Sequence, residues 1–548
     1  MYDVVVIGGG MTGAGVARDA ALRGLKVALF EQGDYATGTS SKSSKLIHGG
    51  LRYLEQAAVR LVFESVRERS LLCRLAPHLV RPLPFLLPIY HGGPIGLERA
   101  NLGLWIYDLL ALFRSPHGHR TYRGAGAAAL EPALRSDGMR GVIEYYDCIT
   151  DDARLVLETI LDARAQGADC RSYTQVTGLD RRGDGRVCGV RYRDVLSGAA
   201  GSVACHAVIS AVGVWTDEVN ARIGLGLDRP LLRPTKGVHL VFARQRLPIQ
   251  RAVMLFAPCD GRVLFAIPWQ RRTIVGTTDT DFRATADQVW ADADDVDYLC
   301  ASMNHFFPAA RLQPSDVIAT WAGLRPLVAD CAQDTSAVSR EHTILVRGDG
   351  VTIIAGGKIT TYRRMAQQGV DATVKWLRAH SPAVLAGRRL GRRQTAKRPL
   401  PGGRAILPRD LTGVQRLAQD LARQHRIDPE TADHLATTYG GRAAQLCQKM
   451  AQEPALAVPL EDDLPHVWAE IDFAVDADLA RTIDDVLGRR LPILVAGRHQ
   501  GLDILPSVAD RMAQRLGWSP AVKAEQIRSY QELVATTRAF RQVTPSAK

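Results

Sequence analysis

The sequence predicts an α/β fold followed by an all-helical C-terminal domain, and three observations carry this prediction. The chain opens on an apolar run, a glycine turn and a helical stretch, the order typical of an open parallel sheet. Residues 231–345 alternate in short β-like runs separated by turns, which is typical of an antiparallel sheet. From residue 410 onward the pattern is helical and rich in Ala, Leu, Arg and Gln. A chain of 548 residues is long enough for two or three such domains.

Residues 1–31 carry the pattern of a dinucleotide-binding site. An apolar run predicts a buried strand, and a glycine turn, a helix and a second strand ending in Glu31 follow it. Gly8 allows the tight turn, Gly10 leaves room for a pyrophosphate at the backbone, and Gly13 lets the helix pack closely on the sheet. The free N–H groups at the helix N-terminus attract phosphate, and Glu31 can accept hydrogen bonds from ribose hydroxyls. A Rossmann-like dinucleotide-binding domain is therefore predicted here.

Three later segments are expected to close on the same cofactor. Residues 33–50 are rich in Ser, Thr and Gly and directly follow the ribose-binding acid, where their hydroxyl and N–H groups suit a ring system such as a flavin. Residues 207–213 predict a buried strand that ends in glycine. Residues 351–363 predict a strand that runs into a two-glycine turn at a helix N-terminus, the geometry of an anion or cofactor-ring site.

Composition places the chain among ordinary soluble globular proteins, with 46% hydrophobic and 23% charged residues. The formal net charge of +12 is compatible with nucleic acid, an anionic membrane surface or a phosphorylated substrate, and charge alone does not choose among them. No basic patch with interleaved aromatic residues and no nucleic-acid motif is present in the sequence, so no nucleic-acid partner is expected.

The nine cysteines are scattered without a C-x-x-C pair, which argues against a disulfide framework and against a zinc or iron–sulfur site. No metal is predicted. No signal peptide precedes the first strand, and no apolar run reaches the roughly 18–20 residues that span a bilayer. The nearest run, residues 102–113, is too short and carries Asp108. Membrane contact is therefore expected to be peripheral, through residues 102–113 or the basic run 388–398.

Short blocks along the first two thirds of the chain occur in a fixed order at regular spacing. They are GGGMTG (8–13), TSS (39–41), SSKLIHGGLRYL (43–54), YDC (146–148), DDARL (151–155), KGVH (236–239), IPW (267–269), GTTD (276–279), GLRPL (323–327) and GGKITTYR (356–363). Together these blocks resemble the FAD-dependent glycerol-3-phosphate dehydrogenase family. The chain has no long insertion in its middle domain, no calcium-loop pattern and no cysteine-rich tail, so it is most similar to the aerobic bacterial single-chain form.

The resemblance implies oxidation of sn-glycerol 3-phosphate to dihydroxyacetone phosphate, with a hydride passed to non-covalently bound FAD and electrons passed on to a membrane quinone. It also implies a cytoplasmic enzyme that associates peripherally with an anionic lipid surface at the inner membrane. A homodimer is left open.

The family blocks also imply which residues hold the substrate. The residues chosen for the substrate are Arg52, Tyr53, Thr278, Arg325, Lys358 and Thr361. His239 is chosen as the base that takes the hydroxyl proton, although a histidine in an apolar strand is commonly a core residue. His48 is its competitor, and Arg325 is also expected to stabilise the alkoxide that forms.

The residues chosen for FAD come from the N-terminal motif, from the three later segments or beside them, and from one intervening strand. They are Gly8, Gly10, Thr12, Gly13, Glu31, Ser40, Ser41, Ser44, Leu46, His48, Val176, Gly213, Trp215, Gly357, Lys358 and Thr360. Residues 1–75, 145–230 and 347–385 are expected to form the FAD-binding domain, and residues 76–144 and 231–346 the substrate-binding domain. Residues 386–403 are expected to be a basic linker, and residues 404–548 the helical domain.

Three other functions are compatible with parts of the pattern. An FAD-dependent amino-acid or amine oxidase shares the N-terminal motif but needs a carboxylate-binding arginine without the Arg52 and Lys358 pair. An FAD protein that binds RNA is suggested only by the basic charge and predicts salt-dependent RNA affinity. An NAD enzyme is disfavoured by the Ser/Thr-rich extension after Glu31 and by the late two-glycine turn.

Overall fold

The computed structural model describes residues 1–51, 53, 58–112, 117–329 and 341–541. The strands are β1 Tyr2–Ile7, β2 Val27–Phe30, β3 Leu46–Ile47, β4 Arg81–Tyr90, β5 Arg120–Tyr122, β6 Met139–Ile149, β7 Asp169–Arg171, β8 Thr174–Arg181, β9 Val187–Asp194, β10 Ala200–Ser210, β11 Leu232–Ala243, β12 Ala252–Phe256, β13 Val263–Trp269, β14 Arg272–Gly276, β15 Thr280–Asp281, β16 Val317–Val328, β17 His342–Val346 and β18 Val351–Gly356.

The α-helices of the described residues are concentrated after the last strand. They are α1 Met11–Leu22, α2 Val59–Leu75, α3 Leu97–Leu110, α4 Gly124–Leu130, α5 Asp152–Ala165, α6 Thr216–Ile223, α7 Ala293–Phe306, α8 Tyr362–His380, α9 Pro382–Leu385, α10 Leu411–His425, α11 Pro429–Tyr439, α12 Ala443–Gln452, α13 Trp468–Asp476, α14 Ile493–Ala496, α15 Leu505–Leu516 and α16 Pro520–Thr537. None of these helices is both long enough and apolar enough to cross a bilayer.

The first sheet has a parallel core and confirms the predicted α/β fold. Its order is β17-β18-β10-β1-β2-β7, and the pairs from β18 to β7 are parallel. The central strand β1 is rich in valine and is buried from Asp3 to Ile7. One face of the sheet packs against α1, α5 and α8, and the other packs against β8, β9 and α6, so both faces of β1 are covered. Helix α1 packs closely through small residues, of which Ala14, Ala17 and Ala20 are fully buried. The carboxyl ends of these strands meet at the glycine turn, where open α/β sheets bind their ligands.

The second sheet is antiparallel over most of its pairs, as predicted, but its membership differs from the prediction. Its order is β15-β11-β14-β13-β12-β4-β6-β3, with β16 beside β11, and only β12 and β4 pair in parallel. The run 343–346 was expected here and instead lies in the first sheet, where β17 forms a hairpin with β18. Conversely, β3 and the C-terminal half of β6 join the second sheet. The predicted domain limits remain a proposal, because these segments lie in a different sheet from the one expected.

The pattern of residues 151–167 predicts an amphipathic helix, and α5 forms there, but most of its charged side chains are buried. Arg154 pairs with Asp478, and Glu158 pairs with Arg442, which are both in the helical C-terminal domain. All four side chains are buried or nearly so. The charged positions therefore mark a buried interface between domains, which a helical period alone cannot distinguish from a solvated face.

The C-terminal helices agree in part with the sequence pattern, which predicts helices at residues 411–423, 429–439, 442–452, 479–487, 504–516 and 520–538. Residues 479–487 do not form the expected α-helix, and a short π-helix forms over Asp485–Arg490. Two helices, α13 at Trp468–Asp476 and the short α14 at Ile493–Ala496, were not predicted. The basic linker is tied to the first sheet's domain, because Arg388 pairs with Asp3 and Arg393 pairs with Asp371.

His78 lies at the same buried interface and makes stability sensitive to acid. It is fully buried, and neither ring nitrogen has a hydrogen-bond partner among the described residues. Burial, with Arg154 and Arg442 nearby, lowers the pKa of His78 from 6.5 to about 3. Between these pH values the unfolded chain binds a proton that the folded chain does not, so stability falls as the pH falls from 6.5 toward 3.

We expect His78→Gln to make the melting temperature less sensitive to acid. The decrease in Tm between pH 7.5 and pH 5.0, measured by differential scanning fluorimetry, should be smaller in this variant than in the wild type. The matched control is His499→Gln, because the His499 side chain is 68% exposed. An identical pH dependence in both variants would contradict the assignment.

Candidate active site

The glycine turn after β1 brings backbone groups close together at the N-terminus of α1. Gly8 has φ +105°, and a Cβ there would lie 2.6 Å from the carbonyl oxygen of Ala211. A Cβ on Gly13 would lie 1.9 Å from the carbonyl oxygen of Gly8, so only glycine permits this packing. Ser40 adds a hydroxyl at the same place, because its Oγ accepts the N–H of Met11 at 3.0 Å. The turn therefore has the geometry that a phosphate needs.

Glu31 lies at the end of β2 and holds the two loops that flank it. Its Oε2 accepts the N–H of Gly9 at 2.6 Å, and its Oε1 accepts the N–H of Gly33 at 2.9 Å. Burial raises the pKa of Glu31, while these two backbone donors act in the opposite direction. Each carboxylate oxygen retains capacity for a further donor, such as a ribose hydroxyl.

A cavity of about 660 Å³ runs from the glycine turn to the second sheet. Its volume is in the range of cofactor sites. The predicted cofactor residues that line it are Gly8, Gly10, Thr12, Glu31, Ser40, Ser44, Leu46, His48, Val176, Gly213, Trp215, Gly357 and Lys358. Three further predicted residues, Gly13, Ser41 and Thr360, do not line it. Thr360 holds His48, since its Oγ1 contacts both the N–H and the carbonyl oxygen of His48 at 3.2 Å.

A second, smaller cavity of about 140 Å³ adjoins the large one. Both cavities are lined by Ser44, Leu46, His48, Thr277 and Arg325. The residues that line only the small cavity are mixed: Phe85, Tyr145, Met254 and Phe265 are aromatic or apolar, whereas Asp147, Arg262 and Asp279 are charged. The shared residues form a polar mouth toward the large cavity, and the interior of the small cavity combines apolar surface with charged groups.

Some of the predicted substrate residues line the cavities, and others line neither. Tyr53 lines the small cavity, and the Nζ of Lys358 lies 3.5 Å above the centre of its ring. Thr278 and Thr361 line neither cavity, because the Thr278 hydroxyl accepts the N–H of Val238 and Thr361 is buried behind the two-glycine turn. Arg52 lies outside the described residues.

Arg325 is held rigidly at the junction of the two cavities. Its Nη1 donates to Asp279 Oδ1 at 3.0 Å, and its Nη2 donates to the Thr277 hydroxyl at 3.1 Å and to the Thr278 carbonyl oxygen at 3.0 Å. Because these contacts already order the Arg325 side chain, little of its conformational entropy is lost when an anion binds to it.

His239 faces the same junction from β11. Its ring stacks on Trp321 with 4.9 Å between the ring centres, and its Nε2 lies 2.8 Å from the Ser44 hydroxyl. Burial, together with Arg325 and Lys45, lowers the pKa of His239 to about 3. The imidazole is therefore neutral at physiological pH, and the same surroundings make it a weaker base than a histidine in water.

Comparisons with known proteins agree with this geometry. Residues 3–363 match the family model described as FAD dependent oxidoreductase, and residues 393–523 match the C-terminal domain of alpha-glycerophosphate oxidase. Glycerol-3-phosphate dehydrogenase 2 of Mycobacterium tuberculosis is 39% identical over 533 residues, which cover 96% of this chain and 87% of that protein. The chain belongs to the FAD-dependent glycerol-3-phosphate dehydrogenase family.

Two further relatives support the same assignment. Aerobic glycerol-3-phosphate dehydrogenase of Staphylococcus haemolyticus is 34% identical over 526 residues, covering 96% of this chain and 92% of that protein. The crystal structure of the glycerol-3-phosphate dehydrogenase from Bacillus halodurans in complex with FAD superposes with a TM-score of 0.78 at 29% identity. That superposition covers 98% of this chain and 95% of the other.

FAD is the cofactor of this dehydrogenase family, and the residues of the large cavity fit it. Gly8 and Gly10 leave the backbone open at a helix N-terminus, where a pyrophosphate is stabilised. Glu31 and Val176 line the end of the cavity that suits the ribose and adenine. His239, Arg325 and Lys358 line the opposite end, where the flavin ring would adjoin the small cavity.

Two lysines lie at this site that were not among the predicted site residues. Lys42 lines the large cavity, and burial lowers its pKa. Lys45 pairs with the buried Asp152 at 2.8 Å, and its Nζ lies 5.5 Å from the ring centres of both Trp269 and Trp321. Lys45 lies in the family block 43–54, and Lys42 lies between that block and the block 39–41, so the neighbouring family blocks were the available signal.

The helical C-terminal domain contacts the loop beside the cofactor cavity through one buried carboxylate, that of Asp34. Asp34 lies in the loop after Glu31 and pairs with Arg489 and Arg490 of the π-helix. Burial alone would raise the pKa of Asp34, but these two guanidinium groups lower it. The same loop contacts the glycine turn, since the N–H of Ala36 donates to the carbonyl oxygen of Gly9 at 3.2 Å.

We expect Asp34→Asn to weaken FAD binding by about 10–100-fold, because two buried arginines lose their counter-charge and the loop loses its anchor. Fluorescence titration of the apoprotein with FAD measures this change. The rate of flavin reduction at saturating FAD should stay near the wild-type value. The control is Asp184→Asn, since the Asp184 side chain is 50% exposed. Unchanged FAD affinity in Asp34→Asn would show that these ion pairs do not support the FAD cavity.

Proposed function

We propose that this protein oxidises sn-glycerol 3-phosphate to dihydroxyacetone phosphate and passes the electrons to a membrane quinone. The observation that carries the proposal is the small cavity, whose polar mouth adjoins the FAD cavity at Ser44, His48 and Arg325. The relatives named above, which share nearly the full length of the chain, are glycerol-3-phosphate dehydrogenases.

Cationic side chains at this mouth suit a phosphate dianion. Arg325 is fixed by Asp279 and Thr277, and Lys358 lies over Tyr53 at the same junction. Arginine contributes directed, paired donors, and lysine contributes a compact charge. Arg52 is proposed as a third cation from its place in the family block. Binding the phosphate through these groups positions the carbinol carbon, so remote binding energy is used at the reacting centre.

Bound FAD supplies the acceptor for the hydride that leaves C2 of the substrate. The chain's own residues handle the proton of the C2 hydroxyl. We assign that proton to His239 Nε2, with Ser44 within hydrogen-bonding distance of the same nitrogen. Arg325 lies near enough to stabilise negative charge on the C2 oxygen as the proton leaves.

Anaerobic flavin reduction with a panel of substrates tests the proposed substrate class. Glycerol 3-phosphate should bleach the flavin absorbance, whereas glycine and proline should leave it oxidised. Reoxidation of the reduced enzyme by a short-chain quinone should be faster than reoxidation by dissolved oxygen. Bleaching by an amino acid but not by glycerol 3-phosphate would establish the oxidase alternative instead.

We place the lipid contact on the outer face of α3. The side chains of Leu102, Trp105 and Leu109 are 62%, 56% and 59% exposed, and Phe63 of α2 and Leu112 add to the same apolar set. A soluble surface seldom exposes this many large apolar side chains on adjacent helices, and interfacial helices bury such faces in lipid. The basic run 388–398 is the weaker candidate, because Arg388 and Arg393 already pair with carboxylates.

We expect Trp105→Glu to weaken binding to vesicles of anionic phospholipid by about 10–100-fold. This is the loss of affinity expected when one large apolar side chain no longer inserts into lipid. Sedimentation with the vesicles measures the bound fraction. Activity with a water-soluble electron acceptor should be unchanged. Val522→Glu is the matched control, since Val522 is 42% exposed on α16. Equal loss of vesicle binding in both variants would remove α3 from the lipid contact.

A further inference from the structure

Three side chains with metal-ligating atoms converge inside the helical C-terminal domain, away from the active site. They are His434 of α11, His466 just before α13, and Glu470 in the first turn of α13. One ligating atom of each lies within 4.8 Å of those of the other two. The three residues are 8%, 1% and 0% exposed. His466 and Glu470 are four residues apart, so both side chains reach the same side of the helix start.

His466 is the unusual member of this cluster. Neither of its ring nitrogens has a hydrogen-bond partner among the described residues, and Nδ1 lies 3.6 Å from Glu470 Oε2. Its ring meets that of His434 edge to face, with 4.6 Å between the ring centres. A buried imidazole without hydrogen bonds is costly, and an absent ligand is one physical reason for it.

The surroundings of the other two residues are those of a supported ligand set. Glu470 Oε1 lies 2.9 Å from His434 Nε2 and accepts the hydroxyl of Tyr439 at 2.8 Å, while Oε2 accepts the N–H of Val467 at 2.8 Å. His434 Nδ1 lies 3.4 Å from the Thr438 hydroxyl. A proton on Nδ1 facing Thr438 leaves Nε2 available to a cation, and such outer partners fix the orientation of ligating histidines.

We propose that His434, His466 and Glu470 bind one zinc ion that joins α11 to α13. Two neutral imidazoles and one carboxylate are a ligand set that zinc adopts, with a water molecule in the fourth position. Binding moves the His434 proton from Nε2 to Nδ1 and draws the three ligating atoms inward. The ion is redox-inert and lies outside the active site, so its role is structural and does not enter flavin chemistry.

Zinc binding to the whole flavoprotein tests the site. The untagged protein is treated with a chelator, dialysed and titrated with zinc chloride, and bound metal is measured by mass spectrometry. We expect one zinc ion per chain and a rise in Tm of roughly 3–8 °C on saturation, as mass action requires for a ligand that binds only the folded chain. Cobalt should replace zinc and give the visible absorption of a tetrahedral site.

Variants locate the bound ion. His466→Asn and Glu470→Gln should each abolish stoichiometric binding and the Tm response, while the exposed His499→Asn should keep both. If a variant fails to fold, the cobalt spectrum of the wild-type chain decides. Absence of bound zinc in the wild type, or binding that persists in His466→Asn, overturns the proposal.

Discussion

Replacing His239 by glutamine is expected to slow reduction of the bound flavin by glycerol 3-phosphate about 10²–10⁴-fold, the usual contribution of a positioned base. The expectation follows from its position on the wall of the large cavity, 2.8 Å from the Ser44 hydroxyl that lines both cavities, and from its neutral state. Stopped-flow absorbance under anaerobic conditions measures the reduction rate. Substrate affinity should change little, because the cations that suit the phosphate are left in place.

The pH dependence of this reaction provides a second test of His239. Burial, Arg325 and Lys45 lower its pKa to about 3, so the proton-accepting form persists as the pH falls through 6.5. The profile of kcat/KM reports groups of the free enzyme, and it should show no acidic limb from His239 between pH 5 and 8. The second ionisation of the substrate phosphate, near pH 6, is allowed for separately.

Two outcomes would contradict this role. One is an acidic limb near pH 6.5 that disappears in His239→Gln. The other is a reduction rate in His239→Gln equal to that of the control His305→Gln, whose side chain is exposed on α7 of the same part of the molecule. A rate loss confined to His239→Gln, without an acidic limb, supports the assignment.

Replacing Lys358 by methionine is expected to lower kcat/KM for glycerol 3-phosphate about 10²–10³-fold. The truncation removes a positive charge from the mouth of the small cavity, and such losses cost about 2–5 kcal/mol at buried charge pairs. Lys358→Arg keeps the charge and should recover part of the loss. Steady-state kinetics with an artificial acceptor measures all three proteins, after FAD content is matched.

Glycerol separates phosphate binding from a general defect. It lacks the phosphate, so wild type and Lys358→Met should differ little in their slow reaction with glycerol. Lys375→Met is the matched control, because Lys375 is exposed on the helix that follows the two-glycine turn. A proportional loss with both substrates would show that Lys358 supports the flavin or the fold and does not bind phosphate.

The candidate cofactor residues could be chosen from the sequence because most of their signals lie in short stretches of chain. Gly13 is required by the backbone of Gly8 a few residues earlier, and Glu31 follows β2, which pairs with β1. Gly8 packs against Ala211, a contact that no local pattern shows. The segments at residues 40–48 and 356–358 belong to family blocks, residues 213–215 follow a predicted strand that ends in glycine, and all three segments line the same cavity.

The parts that sequence patterns placed less well depend on tertiary contacts. Thr277 and Thr278 are adjacent, and only the strand register decides that Thr277 lines both cavities while Thr278 supports Val238. From the sequence alone, the charged residues of α5 resemble a solvated face. In the structure, Arg154 and Glu158 pair with Asp478 and Arg442 of the C-terminal domain. Pairings across such sequence distances leave no periodic signal.

A single-turnover experiment tests the central claim most directly. The oxidised enzyme is mixed under anaerobic conditions with one equivalent of glycerol 3-phosphate, and flavin absorbance and dihydroxyacetone phosphate are measured together. The proposed function predicts that the flavin bleaches and that each reduced flavin is matched by one dihydroxyacetone phosphate. A flavin that stays oxidised with glycerol 3-phosphate, or bleaches without forming that product, would contradict it.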